Sequence, residues 1–306
     1  MSIYVIGHKS PDTDSVTSAI AFAAFQKAQG VDAVPAMQGE LNPETKLVLD
    51  RFGFAAPEIV TDAAGKQLML VDFSDIAQGP DNLSSAEVLA VVDHHKIGDV
   101  TTNSPIFFYA KPVGCTGTIL HEIYKTNNVA IDKKVAGIMT AAILSDTVNF
   151  KSPTCTPADK VAVKDLAAIA GITDTDSLFM DMLKAKSAID GLPINELLNR
   201  DYKDFDMNGK KVGIGQLELA TLDQAAGCRA GLVKAIEELR AGGRHTVLFM
   251  LTDVVKEGTE LLVASDDVSL IEKAFNAKLT DGAMWVPGMM SRKKQTVPPM
   301  QKAFGC

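Results

Sequence analysis

The sequence predicts an α/β protein with a parallel sheet carrying helices on both faces in its N-terminal part and a smaller mixed α/β domain after it. Three observations carry this expectation. Short apolar runs alternate with helical patterns through the first part of the chain, as in βαβ units. Polar residues stand directly after those runs, where the loops at the carboxyl ends of parallel strands bind ligands. In the second part, Asn208-Gly209 separates two strand-like runs, which is a strong hairpin signal.

Taken in order, Ile3–Ile6 reads as a buried strand and Val16–Lys27 as an alanine-rich helix, with Ser15 as its expected cap. Leu68–Val71 and Val88–Val92 are further strands, each ending at an Asp. Val135–Leu144 is an apolar helix that runs into Ser145-Asp146. Asp190-Gly191-Leu192-Pro193 interrupts a helical stretch, so the domains are expected to be 1–188 and 195–306, with 189–194 as linker and hinge. Tyr202–Met207 and Lys211–Leu217 then flank the hairpin turn. A helix of about five turns is expected over Leu222–Ala241, followed by strands at Thr246–Leu251 and Glu260–Ser265.

Thirty basic residues face thirty-eight acidic ones in 306, a net charge of −8. This disfavours nucleic acid, which needs a broad basic face. No apolar run approaches the roughly 18 residues of a membrane span, and the N-terminus lacks the pattern of a signal peptide. Cys115, Cys155, Cys228 and Cys306 are scattered without metal or redox spacing, so they read as reduced thiols of a cytoplasmic protein.

The chemistry concentrates at a few strand ends. His8, Asp12 and Asp14 lie within seven residues between a strand and a helix, a set suited to a divalent metal, though such aspartates also cap helices. Asp72 ends one apolar run, Asp93-His94-His95 ends the next, and Asp146 ends a third. Carboxylates crowded this way are costly unless positive charge sits among them. Two histidines and four aspartates are enough for two metals sharing a bridging carboxylate. Asp75 competes with Asp72 for that place, and Asp72 is preferred because it directly follows the apolar run. His121 and His245 read as packing or surface residues, and Asp62, Asp81 and Asp99 as loop residues.

In the order GHKSPDTDS, LVDF, VVDHH, LSDT and SRKKQ, these segments resemble the manganese-dependent family II inorganic pyrophosphatases of the DHH phosphoesterase superfamily. The resemblance spans nearly the whole chain. It implies hydrolysis of pyrophosphate to two phosphates by a hydroxide activated between two Mn²⁺ ions, Co²⁺ being an alternative and a further Mg²⁺ arriving with substrate. It implies His8 and Asp12 on one metal, Asp14, His94 and Asp146 on the other, and Asp72 between them. It further implies that His95 faces the substrate, that Asp93 supports the site from behind, and that Arg292, Lys293 and Lys203 grip pyrophosphate. A homodimer through the N-terminal domains is implied as well.

The sequence departs from the family pattern at Ser10, where Asn is common, and at Phe73-Ser74, where His-Asn is common. It has no insert of the kind that carries nucleotide-sensing modules. Two other functions compete: another DHH phosphoesterase acting on oligonucleotides, cyclic dinucleotides or polyphosphate, and a non-catalytic metal- or phosphate-binding protein. Gly242-Gly243-Arg244-His245 matches poorly the glycine-rich motif of the former.

Overall fold

The computed structural model describes residues 2–306 and divides into two compact units, with the boundary between residues 186 and 187. The first unit is built as β1 (Ile3–Lys9), α1 (Thr13–Ala28), β2 (Ala33–Gln38), α2 (Pro43–Phe52), β3 (Glu58–Ile59), β4 (Gln67–Val71), β5 (Glu87–Asp93), β6 (Phe107–Ala110), α3 (Thr116–Thr126), α4 (Lys133–Asp146), α5 (Pro157–Ala170) and α6 (Thr175–Lys186). Its six strands run in the order β3-β2-β1-β4-β5-β6, all parallel. Chain order reverses direction between β1 and β4, so this end of the sheet is a topological switch point where a crevice opens.

The expected cover of both sheet faces takes an unequal form. Val5, Met69, Val71, Ala90 and Val92 point to one face and pack with residues of α1 to α6 in the main core. Ile6, Leu68, Leu70 and Val91 point to the other, which Val60, Phe73 and Leu83 close from connecting segments that contain only two single 3₁₀ turns, Ile76–Gln78 and Leu83–Ser85. α1 contacts β1, β2, α3 and α4 and is buried from Thr13 to Ala23, which explains why its sequence is small and apolar nearly all round.

Asp12, not the expected Ser15, is the N-cap of α1: its carboxylate accepts from the Ser15 N–H at 2.9 Å. β2 escapes the sequence pattern because Pro35 sits inside it. The strand tolerates this proline because β3 pairs only with Ala36 and Met37.

The second unit holds α7 (Ile194–Asn199), β7 (Tyr202–Met207), β8 (Lys210–Leu219), α8 (Arg229–Ala241), β9 (Thr246–Asp253), β10 (Gly258–Ser265), α9 (Val268–Phe275), β11 (Ala283–Pro287) and α10 (Val297–Phe304). Its sheet, β11-β10-β9-β8-β7, is mixed: only β8 and β9 are parallel. Every residue of β9 is buried, with Val247, Phe249 and Leu251 facing one core and Leu248 and Met250 the other. A strand covered on both faces reads as a continuous apolar run.

Asn208 and Gly209 both adopt positive φ in the two-residue turn between β7 and β8. The single helix expected over Leu222–Ala241 is two pieces, a 3₁₀ turn at Leu222–Ala225 and then α8. Gly227 interrupts the helical pattern between them, and the Leu222 N–H is held by the Asp253 carboxylate. No helix among the described residues is long and apolar enough to cross a membrane.

One buried carboxylate ties the far side of the first unit together. Asp159, fully buried, accepts from the Gly114 N–H, the Thr118 hydroxyl and both donors of Thr156. Removing it strands several buried donors, so Asp159→Ala should cost about 2–4 kcal/mol in urea unfolding. A loss within experimental error would show that these donors find other partners.

Candidate metal centre

β1, β4 and β5 all end at the same edge of the first sheet, and the polar residues of the sequence pattern converge there. Gly7 makes the approach possible, because a Cβ at this position would collide with the side chain and carbonyl of Ser15 in α1. The chain can then turn His8 toward Asp12 and Asp72. His8 Nε2 lies 3.5 Å from Asp12 Oδ1 and 3.3 Å from Asp72 Oδ2, while His94 Nε2 lies 3.3 Å from Asp72 Oδ1. Asp72 therefore offers one oxygen to each histidine. It does so from a left-handed backbone, φ 66, a conformation costly for a non-glycine residue. Its N–H to the Val92 carbonyl and its bond from the Thr116 hydroxyl, at 2.9 and 3.0 Å, hold it there.

Asp14 is wholly buried and accepts from the Thr116 and Gly117 N–H groups at the N-terminus of α3 and from the Ser18 hydroxyl. With Cys115 and Asp146 it forms a third convergent group, beside His8–Asp12–Asp72 and Asp72–His94–His95. His95 differs from His94 in a way the sequence does not show. The Nδ1–H groups of His8 and His94 donate to the carbonyls of Lys9 and Val113, leaving Nε2 toward the carboxylates. His95 Nδ1 is itself the atom nearest Asp72 and is committed to Asp93 at 3.0 Å.

The electrostatics show a site short of positive charge. Burial would lower the His8 pKa, but hydrogen bonds to Asp12 and Asp72 outweigh it and raise the value to about 11. Burial likewise opposes the Asp72 bond and the charges of Asp14 and Asp72 at His94, which still rises to about 9. Asp14 is pushed up to about 6 by burial and then by the charge of Asp72. Asp146 is raised well above the carboxylate range for the same two kinds of reason, burial first and then Asp14. Burial also opposes ionisation of Asp72, yet the bonds from His8 and His94 hold its pKa far below normal. The cluster therefore calls for added positive charge among its carboxylates, and the mixed imidazole–carboxylate donors fit Mn²⁺ or Co²⁺.

Asp93, buried, accepts from His95 through Oδ1 and from the Ser74 hydroxyl through Oδ2. Ser74 also accepts from the Gly98 N–H, and a Cβ on Gly98 would strike the Ser74 backbone, so the loops after β4 and β5 are locked together. That gives the Phe73-Ser74 departure a structural role: Phe73 packs under the sheet and Ser74 orients Asp93. Ser10 has φ 54, a conformation that Asn tolerates better than Ser. Asp75 caps the turn at Ile76, its carboxylate accepting from the Ala77 N–H. A pocket of about 380 Å³ opens beside the cluster, lined by His8, Asp72, His95, Lys9 and Lys96 among others.

In the second unit, Arg292 begins a π-helical turn (Arg292–Thr296) and donates to the carbonyls of Asp201 and Ile214, with Asp201 Oδ1 2.7 Å from Nη2. Ile214 is the ladder partner of Lys203, so Arg292 and Lys203 share one region of that sheet, and Lys293, next to Arg292 in sequence, is exposed. His121 is buried against Asp165 as a packing residue. The four cysteines are unpaired. Thr116 and Gly117 are the residues that sequence reasoning missed; the run of small residues before the α3 pattern was the available signal.

A six-stranded parallel sheet with this carboxylate–histidine crevice, followed by a mixed-sheet unit, defines the two-domain DHH phosphoesterase class. The N-terminal domain of the DHH family matches residues 2–143 and the DHHA2 domain matches 180–303. Relatives named manganese-dependent inorganic pyrophosphatases, the first with the qualifier probable, are 49% identical in Archaeoglobus fulgidus and 46% in Methanothrix thermoacetophila, each over 99% of this chain and 98% of the relative. The crystal structure of a Methanococcus jannaschii protein assigned to the family II inorganic pyrophosphatases is similar over 99% of this chain and 100% of its own, with 43% identity and a TM-score of 0.63. The chain belongs to the manganese-dependent inorganic pyrophosphatase family.

The contrast between the two adjacent histidines can be measured without any substrate. His94→Gln should weaken Mn²⁺ binding by at least about 100-fold, beyond what outer partners usually contribute, whereas His95→Gln should leave it nearly unchanged. The raised His94 pKa means that the metal-free protein keeps a proton on His94 until about pH 9. Metal must displace it together with the proton that His8 keeps to about 11, so wild-type Mn²⁺ affinity should rise with pH up to about 9 and continue to rise, less steeply, above it, by about tenfold per unit for each proton released. Equal losses in the two variants, or a flat pH profile, would contradict this assignment.

Proposed function

We propose that the protein hydrolyses inorganic pyrophosphate to two phosphates with two Mn²⁺ ions as resident cofactors. The observation that carries the reading is the Asp72 carboxylate set between two histidines at the switch point of the sheet, in a chain of a pyrophosphatase family. On this reading His8 and Asp12 hold one ion, Asp14, His94 and Asp146 hold the other, and Asp72 bridges them. Co²⁺ suits the same donors, and a further Mg²⁺ would accompany the substrate oxygens. When bound, such a pair supplies a water of lowered pKa and withdraws charge from phosphoryl oxygens.

The chain's own groups do the rest. Asp93 fixes the His95 ring through Nδ1, so Nε2 is the atom left to give a proton to the departing phosphate. Arg292 offers a two-pronged fork, and Lys203 and Lys293 offer point charges, to the oxygens that gain charge as the bond breaks. An incoming phosphate would compete with Asp201 for the Arg292 guanidinium.

Phosphate release from pyrophosphate in Mn²⁺, measured beside a nucleotide phosphodiester, tests the proposal. Rapid pyrophosphate turnover is expected, with kcat reduced about 10²–10⁴-fold in His95→Gln. Turnover of the diester with inert pyrophosphate would favour another DHH phosphoesterase, and inertness toward both would favour a binding protein.

A homodimer through the first unit is part of the same proposal. β6 is the open edge of the parallel sheet, and its Phe107 and Phe108 are 49% and 41% exposed. An apolar open edge is a template for pairing with a second copy. Light scattering after size exclusion should give a dimer for the wild type and a shift toward monomer for Phe108→Lys; a monomeric wild type would remove this part of the reading.

A further inference from the structure

The motif Ser291–Gln295 sends its cations in two directions. Arg292 folds back onto the β7–β8 ladder and pairs with Asp201. Lys294 instead lines a separate groove of about 640 Å³ between α9 and α10, together with Lys273 and Lys302. The pyrophosphatase reading uses Arg292 and Lys293 and leaves Lys294 without a task.

All three lysines of the groove are exposed, and no carboxylate pairs with any of them among the described residues. Glu272, the one acid of α9, is held by Lys278 at 2.7 Å and by the Leu279 N–H at 3.0 Å. α10 has no acid at all. Three uncompensated ammonium groups around one concavity run against the net charge of −8. The rest of the lining is Ala274, Pro298, Pro299 and Ala303. The two prolines carry no N–H to donate, so polar recognition there falls to the lysines.

Lysine binds phosphate oxygens as a point charge, whereas planar carboxylates favour the arginine fork, and this groove has no arginine. Its volume lies within the range of small-molecule pockets, about 300–1,000 Å³. We infer that the groove between α9 and α10 binds a chain of anhydride-linked phosphates, the three lysines taking phosphoryl oxygens and the proline–alanine floor taking the remainder of the ligand. Inorganic tripolyphosphate and a nucleoside triphosphate both present this chemistry. The inference does not depend on the pyrophosphatase reading, since neither Lys273 nor Lys302 belongs to that machinery.

The test is calorimetric titration of the Mn²⁺-loaded full chain with tripolyphosphate and with adenosine triphosphate, both as Mg²⁺ complexes and with saturating imidodiphosphate present. Wild type should still bind under these conditions. Lys273→Ala/Lys302→Ala should weaken that binding by about tenfold or more, as expected for losing two charge-assisted contacts, with pyrophosphate turnover unchanged. Tighter binding of adenosine triphosphate would assign the floor to a nucleoside, and equal or weaker binding would assign the groove to the inorganic chain; either outcome supports a phosphate-chain site. Binding of both ligands abolished by imidodiphosphate, or retained in full by the double variant, would overturn it.

Discussion

The Asp72 carboxylate is the interaction on which the rest of the first unit depends. It is 2% exposed, stands on a left-handed backbone and shares its surroundings with Asp12, Asp14 and Asp146. In a low-dielectric interior, so many carboxylates repel one another unless protons or metal ions intervene. His8 and His94 answer part of this demand from opposite sides, and the raised values of Asp14 and Asp146 show that they do not answer all of it. A divalent pair is the simplest balance of charge consistent with the donors present.

The fold supplies the geometry through chain order. Reversal of direction between β1 and β4 leaves a crevice, with His8 next to the last residue of one flanking strand and Asp72 directly after the other. α3 then aims its N-terminal N–H groups at Asp14, while Thr116 reaches Asp72, so one helix start holds two of the carboxylates. Behind it, Asp159 grips the Gly114–Thr118 segment. The Ser74–Asp93–His95 series does the same work on the other side, fixing a histidine that stays half exposed beside the pocket.

Much of this was legible in the sequence for a local reason: strand ends of a parallel sheet are marked by an apolar run followed within a residue or two by a polar one. Ile3–Ile6, Leu68–Val71 and Val88–Val92 announced themselves that way, and so did the residues after them. The parts that were not legible depend on distant chain. Thr116 and Gly117 reach an aspartate more than a hundred positions away, and no local pattern reports such a contact. β2 was hidden by Pro35, whose tolerance follows from the shortness of β3. The double role of Asp12, capping α1 while facing His8, shows that a helix cap and a candidate ligand need not be alternatives.

The central claim, that the Asp72 carboxylate joins two cations, is tested most directly by electron paramagnetic resonance of the Mn²⁺-loaded protein with metal content measured alongside. Two ions per chain with an exchange-coupled spectrum, uncoupled or reduced to one ion in Asp72→Asn, is the result this account requires. A single isolated ion in the wild type, or a coupled pair that survives Asp72→Asn, would contradict it.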